Sequence, residues 1–265
     1  GEKNHVHGEM DAVLKGIVDA IIKNPNKQLT PVWQKAYASA LDAYLGPVPE
    51  KFNYKGKTYT PKSFFEELNL NLDDYVELTS FSHHPFYSKF ILEVSDNWLW
   101  SEVYNVPLNE FEQILDYAID NGYTIAWGSD VSEKGFAWKK GVAVVPETDV
   151  AELSDLERAK WDKMSDKEKD EKLFNGKEKT ITQEMRQKAF DNYQTTDDHG
   201  MHIVGKAKDQ YGNIYFIVKN SWGTDSNPYK GYFYASKPFV LYKTTNIMVH
   251  KNAIPPTIRQ KLGIK

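Results

Sequence analysis

The chain has 265 residues, 40% of them hydrophobic and 26% charged, with a formal charge of -4 and no cysteine. That composition supports a packed core and excludes disulfides, thiolate metal sites, iron–sulfur clusters and a cysteine nucleophile within these residues. Interspersed charge leaves no footprint for nucleic acid, and no apolar run is long enough for a membrane span.

Met10, Val13, Leu14, Ile17, Val18 and Ile21 recur at three- and four-residue spacing, which predicts an amphipathic helix over Glu9 to Lys23, stopped by Asn24 and Pro25. Thr30 and Pro31 predict the cap and first turn of a second helix through Ala43. A small hairpin around Lys55-Gly56 follows, and Thr60-Pro61 starts a third helix ahead of Phe64, Phe65 and Leu68. Residues 1–74 are therefore expected to be a mainly helical segment.

From Tyr75 the texture changes to strands, Tyr75 to Phe81 and Lys89 to Val94, separated by His83, His84 and Pro85. A helix from Pro107 puts Leu108, Phe111, Leu115 and Ala118 on one face, and Tyr123 to Trp127 is a short apolar strand; residues 75–146 form this strand and helix segment. Residues 147–194 are rich in Lys, Glu and Asp. Three Ser/Thr-x-x-Glu/Gln signatures there, at Ser154, Ser165 and Thr180, predict a helical insertion with solvated charged faces.

In residues 195–250, His199 to Ala207 and Asn213 to Asn220 flank a turn at 209–212 and predict an antiparallel hairpin, with further strands at Gly231 to Ser236 and Thr245 to His250. The fold class expected is α+β.

Metal chemistry has weak sequence support. His83 and His84 would point to opposite faces if extended, an arrangement a loop would change, His199 and His202 would point to opposite faces of their strand, and there is no His-Glu-x-x-His helix. No metal or other cofactor is expected. Glycine-rich phosphate loops and the Gly-x-Ser-x-Gly elbow are also absent from the sequence.

The hairpin folds Lys219-Asn220-Ser221-Trp222-Gly223 back beside Asp198-His199-Gly200-Met201. An amide oxygen accepting from one imidazole nitrogen fixes the tautomer and turns the other nitrogen toward a reacting group, and Trp222 could shield that bond from water. Alone, the pair fits ordinary strand-end hydrogen bonds better.

The order of the blocks adds weight to the catalytic alternative. Asp-His-Gly-Met, a hairpin, then Lys-Asn-Ser-Trp-Gly and Gly231-Tyr232 resembles the His and Asn motifs of papain-like cysteine peptidases. Thr79 through Phe86, Trp127 through Asp130, the charged insertion and the ending from His250 resemble the bleomycin hydrolase and aminopeptidase C branch. The resemblance implies a papain-like, C-terminal, antiparallel barrel-like sheet with helical insertions, the N-terminal half that carries the catalytic cysteine being missing.

It further implies that His199 is the catalytic base, Asn220 its orienting amide and Trp222 the supporting shield, with Asp198 and Gly200 lining the substrate cleft. Residues 251–265 would be a C-terminal arm whose Lys265 carboxylate binds the α-amine of a peptide substrate. Implied partners are peptide substrates, the missing cysteine-bearing half and further copies in a homo-oligomer, a hexamer by the resemblance; nucleic acid and a membrane span are not expected.

The activity expected is a cysteine-type aminopeptidase as a whole protein, with these 265 residues alone inactive. Alternatives are a non-catalytic papain-like peptide-binding module and a metal-dependent hydrolase using His83, His84 or His202. A cytoplasmic location is expected, or a periplasmic or secreted one if an upstream signal has been lost.

Overall fold

Two amphipathic helices open the chain. The computed structural model describes residues 5–147, 153–174 and 176–265, and its contacts divide them into a unit ending at Leu70 and a larger one from Asn71. In the first unit α1 (His7–Ile22) packs against α2 (Val32–Leu45), burying Met10 and Leu14, and the Tyr44 hydroxyl donates to Glu9 at 2.8 Å. The expected cap at Thr30 is displaced by one residue, because Pro31 is the N-cap and no side chain caps the helix.

The hairpin β1 (Phe52–Tyr54) and β2 (Lys57–Tyr59) turns through Lys55 and Gly56, both at positive φ. It precedes α3 (Pro61–Leu68), where Thr60 and Ser63 form a reciprocal capping box. Phe64 meets the rings of Phe52, Tyr54 and Tyr59 at centroid distances of 5.2 to 5.4 Å, so the hairpin and helix share one aromatic cluster.

The second unit is built on a ten-stranded sheet. Its strands are β3 (Tyr75–Thr79), β4 (Lys89–Ile91), β5 (Glu102–Asn105), β6 (Ile125–Ser129), β7 (Phe136–Ala137), β8 (Val142–Ala143), β9 (His199–Lys208), β10 (Ile214–Lys219), β11 (Tyr232–Ser236) and β12 (Thr244–His250). Among the described residues they lie in the order β4-β5-β3-β12-β6-β9-β10-β11-β8-β7.

Two pairs, β3 with β5 and β8 with β11, are parallel, so the sheet is mixed where an antiparallel one was expected. The order runs from edge to edge among the described residues and is not a hydrogen-bonded ring.

One face carries α4 (Leu108–Asp120), whose Leu108, Phe111, Ile114, Leu115 and Ala118 are buried with Trp127, Ile203, Phe216, Phe233 and Ile247 from the strands. α4 has no side-chain cap of its own at Pro107. Gln183 from a distant helix accepts from the Leu108 N–H at 2.8 Å and donates to Ser80 O at 3.2 Å, tying the end of β3 to the start of α4.

Residues 154–191 form α5 (Asp155–Asp162), α6 (Asp166–Phe174) and α7 (Gln183–Asp191). The Ser154 and Ser165 boxes form as expected, whereas the third cap is Thr182, accepting from Met185 N–H, and not Thr180. The start of the expected insertion, at 148–152, lies outside the described residues.

α7 corrects the picture of a wholly solvated insertion, since Arg186, Gln187 and Ala189 are buried. Arg186 donates to Ser80 O at 2.7 Å and to Leu241 O at 2.9 Å over the Phe81 ring, and burial pushes its guanidinium down to about 9.

After β11 comes α8 (Lys237–Lys243), capped by Ser236, which accepts from Phe239 N–H at 3.1 Å. The C-terminal residues leave β12 through a short 3-10 turn and form α9 (Pro256–Lys261). Ala253, Ile254, Ile258 and Leu262 are all buried in the sheet core, and Lys261 pairs with Glu110 in the first turn of α4 at 2.5 Å. These residues are thus packed as far as Leu262.

Because Ile258 is 2% exposed, Ile258→Val should cost about 1 kcal/mol and lower Tm by about 2–4 °C in a thermal melt.

Candidate active site

Strand alternation sorts the histidines of β9. His199, Met201 and Ile203 share a face, and the last two are buried in the core. His202 lies on the other face, where its Nε2 is 2.8 Å from Thr124 Oγ1. His199 therefore stands at the end of the core-facing row, opposite Ser129 of β6, which in turn pairs with Thr244 of β12.

β10 brings Asn220 to it. A register shift between Ile217 and Val218 realigns the end of the strand, and the Asn220 N–H donates to Gly231 O at 3.0 Å. Gly231 has φ +90 and its Cα faces Gly223 O, so a Cβ there would lie 2.9 Å from that oxygen. Asn227 braces the intervening loop, accepting from Gly231 N–H at 2.9 Å and donating to Tyr232 O at 2.6 Å.

The Asn220 side chain is 9% exposed for the residue, and its Oδ1 lies 2.7 Å from His199 Nε2. That oxygen also accepts from the Ser221 N–H at 2.7 Å. A backbone N–H can only donate, so the amide cannot be flipped, and the nitrogen of His199 that meets it must be Nε2–H. In the neutral ring the lone pair is then on Nδ1, which has no hydrogen-bond partner among the described residues. This gives a base of fixed tautomer with its accepting nitrogen available.

Trp222 stacks on the His199 ring at a centroid distance of 4.9 Å and an angle of 29°. It is itself held edge-on by Trp138 at 5.3 Å and Phe136 at 5.8 Å, and Trp138 Nε1 donates to Ser226 Oγ at 2.8 Å in the same loop. Trp222 therefore covers one side of the imidazole and excludes water from it. Phe136 and Trp138 went unrecognised in the sequence; Phe136 lies on β7 and Trp138 on the 3-10 turn that follows it.

Asp198 is spent locally. Its Oδ2 accepts from Val131 and Ser132 N–H, each at 3.1 Å, and its Oδ1 accepts from Thr196 Oγ1 at 2.7 Å. These bonds clamp the start of β9 to the turn after β6. Asp130, 1% exposed, accepts from Ser132 N–H at 2.8 Å and from Thr196 N–H at 3.2 Å, with Lys243 Nζ at 3.5 Å.

Burial pushes the Asp130 carboxyl above its ordinary value. Burial acts on Asp198 in the same sense, but the bonds from Thr196, Asp130, Val131 and Ser132 outweigh it and leave that carboxyl below the usual range. Gly200 is exposed with open space where a Cβ would be, and Lys265 is exposed at the end of the segment that follows α9.

His83 and His84 take the loop alternative. Residues 82–84 are a turn and not a strand, so both imidazoles converge on Glu93, with Nε2 to carboxylate distances of 3.0 and 2.6 Å.

Residues 48–264 match the family model described as Peptidase C1-like family. Aminopeptidase G of Lactobacillus delbrueckii subsp. lactis is 28% identical over 199 residues, 74% of this chain and 40% of that protein. A crystal structure titled pepw from Lactobacillus rhamnosis is similar in fold, with a TM-score of 0.62 and 20% identity over 97% of this chain and 57% of that one. The chain therefore spans between two fifths and three fifths of the length of these relatives.

Proposed function

The chain belongs to the peptidase C1-like family, and from that premise we propose that it supplies the general base, its orienting amide and a substrate-limiting arm to a cysteine-type aminopeptidase. The observation that carries this reading is the His199–Asn220 pair, whose hydrogen bond leaves Nδ1 as the accepting nitrogen.

The chemistry follows from that nitrogen. His199 Nδ1 takes the proton of a cysteine thiol, and the resulting thiolate attacks the peptide carbonyl carbon. The tetrahedral intermediate collapses with loss of the amine, which receives the proton from the imidazolium. Neutral His199 then removes a proton from water, whose oxygen attacks the thioester and releases the acid and the thiol. Asn220 holds the ring in the plane these transfers need, and the stack on Trp222 keeps bulk water from competing for Nε2–H.

The 265 residues contain no cysteine, so the thiol comes from another segment of polypeptide. The relationship to an aminopeptidase of which this chain covers 40% supports that division.

The direction of the C-terminal residues supports the arm. β12 begins at the end of the sheet that carries His199 and Ser129 and finishes at the opposite end. β5 runs parallel to β3, whose Thr79 bonds Thr245 O, so α4 starts at the His199 end. The pairing of Lys261 with Glu110 in that first turn brings the chain back toward His199 before it reaches Lys265. In this reading the terminal carboxylate meets the α-amine of a peptide and limits cleavage to one residue, with Asp198 and Gly200 bordering the cleft.

A hexameric, cytoplasmic assembly belongs to the same reading; no described helix is long and apolar enough to cross a membrane.

The test joins the chain, covalently or by co-expression, to the cysteine-bearing segment of a Peptidase C1-like relative and measures hydrolysis of aminoacyl anilides. The chain alone should give no turnover, and the joined protein should give turnover abolished by iodoacetamide. Chelator-resistant activity of the pure chain would overturn the proposal. A joined protein that folds and binds peptides without cleaving them would favour the binding module.

A further inference from the structure

The turn at 82–84 gathers a donor set with no part in the chemistry of His199. One ring nitrogen each of His83 and His84 and a Glu93 carboxylate oxygen lie within 4.8 Å of one another, and the two imidazole centroids are 4.5 Å apart. Each ring is held from behind: His84 stacks on Phe90 at 4.2 Å and 23°, and His83 on Phe190 at 5.5 Å and 26°. The backbone leading into Glu93 is held too, because Glu93 follows the buried Leu92, whose carbonyl accepts from Asn97 Nδ2 at 3.0 Å.

We propose that His83, His84 and Glu93 bind a divalent transition-metal ion, zinc foremost, through the two Nε2 atoms and the carboxylate, with water completing a tetrahedral shell. Two imidazole nitrogens and one carboxylate are borderline donors of the kind zinc prefers, and three protein ligands leave one position for solvent. The side chains are 28%, 34% and 51% exposed for His83, His84 and Glu93, so the ion has a path in and water has room.

Tetrahedral zinc with the usual bond lengths places its ligand atoms about 3.3 Å apart. The present Nε2 to carboxylate distances, 3.0 Å from His83 to one Glu93 oxygen and 2.6 Å from His84 to the other, would open by about 0.3 and 0.7 Å.

A divalent ion would take two neutral imidazole lone pairs and one carboxylate charge. Each neutral ring must then carry its proton on Nδ1; at His83 that nitrogen faces the Gln187 amide, Nε2 at 3.1 Å and Oε1 at 3.3 Å, and binding the ion requires it to bond Oε1.

Gln187 Oε1 lies 3.3 Å from His83 Nδ1, and its orientation is set by the Ser82 and His83 N–H groups that donate to the same oxygen and by Asp191, which accepts from Nε2 at 2.7 Å. An outer partner of this kind typically orients a metal-bound histidine. The ion would staple the 82–84 turn to the segment after β4, with α7 steadying the turn through Gln187.

The experiment uses the full 265-residue chain freed of metal by chelator, titrated with Co²⁺ and then with Zn²⁺ in competition. One equivalent of Co²⁺ should bind with the visible bands of a tetrahedral site, and Zn²⁺ should displace it. Zn²⁺ should also raise Tm in proportion to the logarithm of its concentration above Kd.

His84→Ala and Glu93→Gln should each weaken binding at least tenfold and lose the Tm shift. His202→Ala and the paired His5→Ala, His7→Ala variant should change neither. If His84→Ala fails to fold, Glu93→Gln and Co²⁺ broadening of the His83 and His84 ring resonances in the unmodified chain decide the matter. No saturable equivalent, or binding undiminished in folded Glu93→Gln, would overturn the site.

Discussion

Replacing His199 with alanine in the joined, cysteine-containing protein should lower kcat/KM for an aminoacyl anilide by about 10⁴-fold, the upper range for losing a positioned acid–base group. The loss is large because one ring serves both half-reactions: it generates the thiolate, protonates the departing amine and later deprotonates water. KM should move little, since no binding contact to substrate depends on the imidazole. The rate of thiol alkylation by iodoacetamide at neutral pH should fall in parallel, because thiolate is no longer stabilised by an imidazolium. His202→Ala is the control: its ring faces Thr124 on the opposite side of β9 and should leave kcat within a factor of two or so. An unchanged alkylation rate in His199→Ala would remove the histidine from the thiol's environment and with it the proposed role.

That contrast between His199 and His202 was legible in the sequence, because a strand's period of two holds wherever the backbone is extended. The same rule does not reach His83 and His84, since it assumes extension and these residues sit in a turn. The β9–β10 hairpin was legible for a related reason, its alternating apolar residues being interrupted by Asp209 to Gly212, which supply the turn chemistry.

β5 was not anticipated. The apolar run ahead of it, Trp98-Leu99-Trp100, lies in a loop and is exposed, so hydrophobicity does not mark the strand. α8 escaped because seven helical residues between two strands give too short a period to detect, although Ser236 and Pro238 carried a usable start signal.

Composition also misled for α7. A segment averaging to a charged surface contains Arg186, which is fully buried and satisfies the backbone carbonyls of Ser80 and Leu241. Charge in a sequence does not distinguish a solvated side chain from one whose donors replace water inside the fold. The Trp222 cover, in contrast, was expected from the Asn-Ser-Trp-Gly block, while the aromatic pair that holds it, Phe136 and Trp138, becomes evident only when β7 and the loop after β10 are brought together.

Asn220→Ala should lower kcat by about 10²-fold, the scale expected when a reacting group remains present but loses its orientation. The variant keeps His199 but removes the acceptor that now sits 2.7 Å from Nε2, so both tautomers become populated and the ring turns on its χ2 bond. It also leaves the Ser221 N–H without the side-chain oxygen that accepts from it.

The two consequences can be separated. Asn220→Asp restores an acceptor for both donors and should recover part of kcat, while its negative charge stabilises the imidazolium and moves the alkaline limb of the pH–rate profile to higher pH. Nitrogen NMR of the isolated chain reads the tautomer directly, without the cysteine segment: Nε2–H in the unmodified chain and a mixture in Asn220→Ala. A residue that merely completes a strand end would lower stability on substitution but would leave both the tautomer ratio and the pH profile in place, and those readings would reduce Asn220 to a structural role.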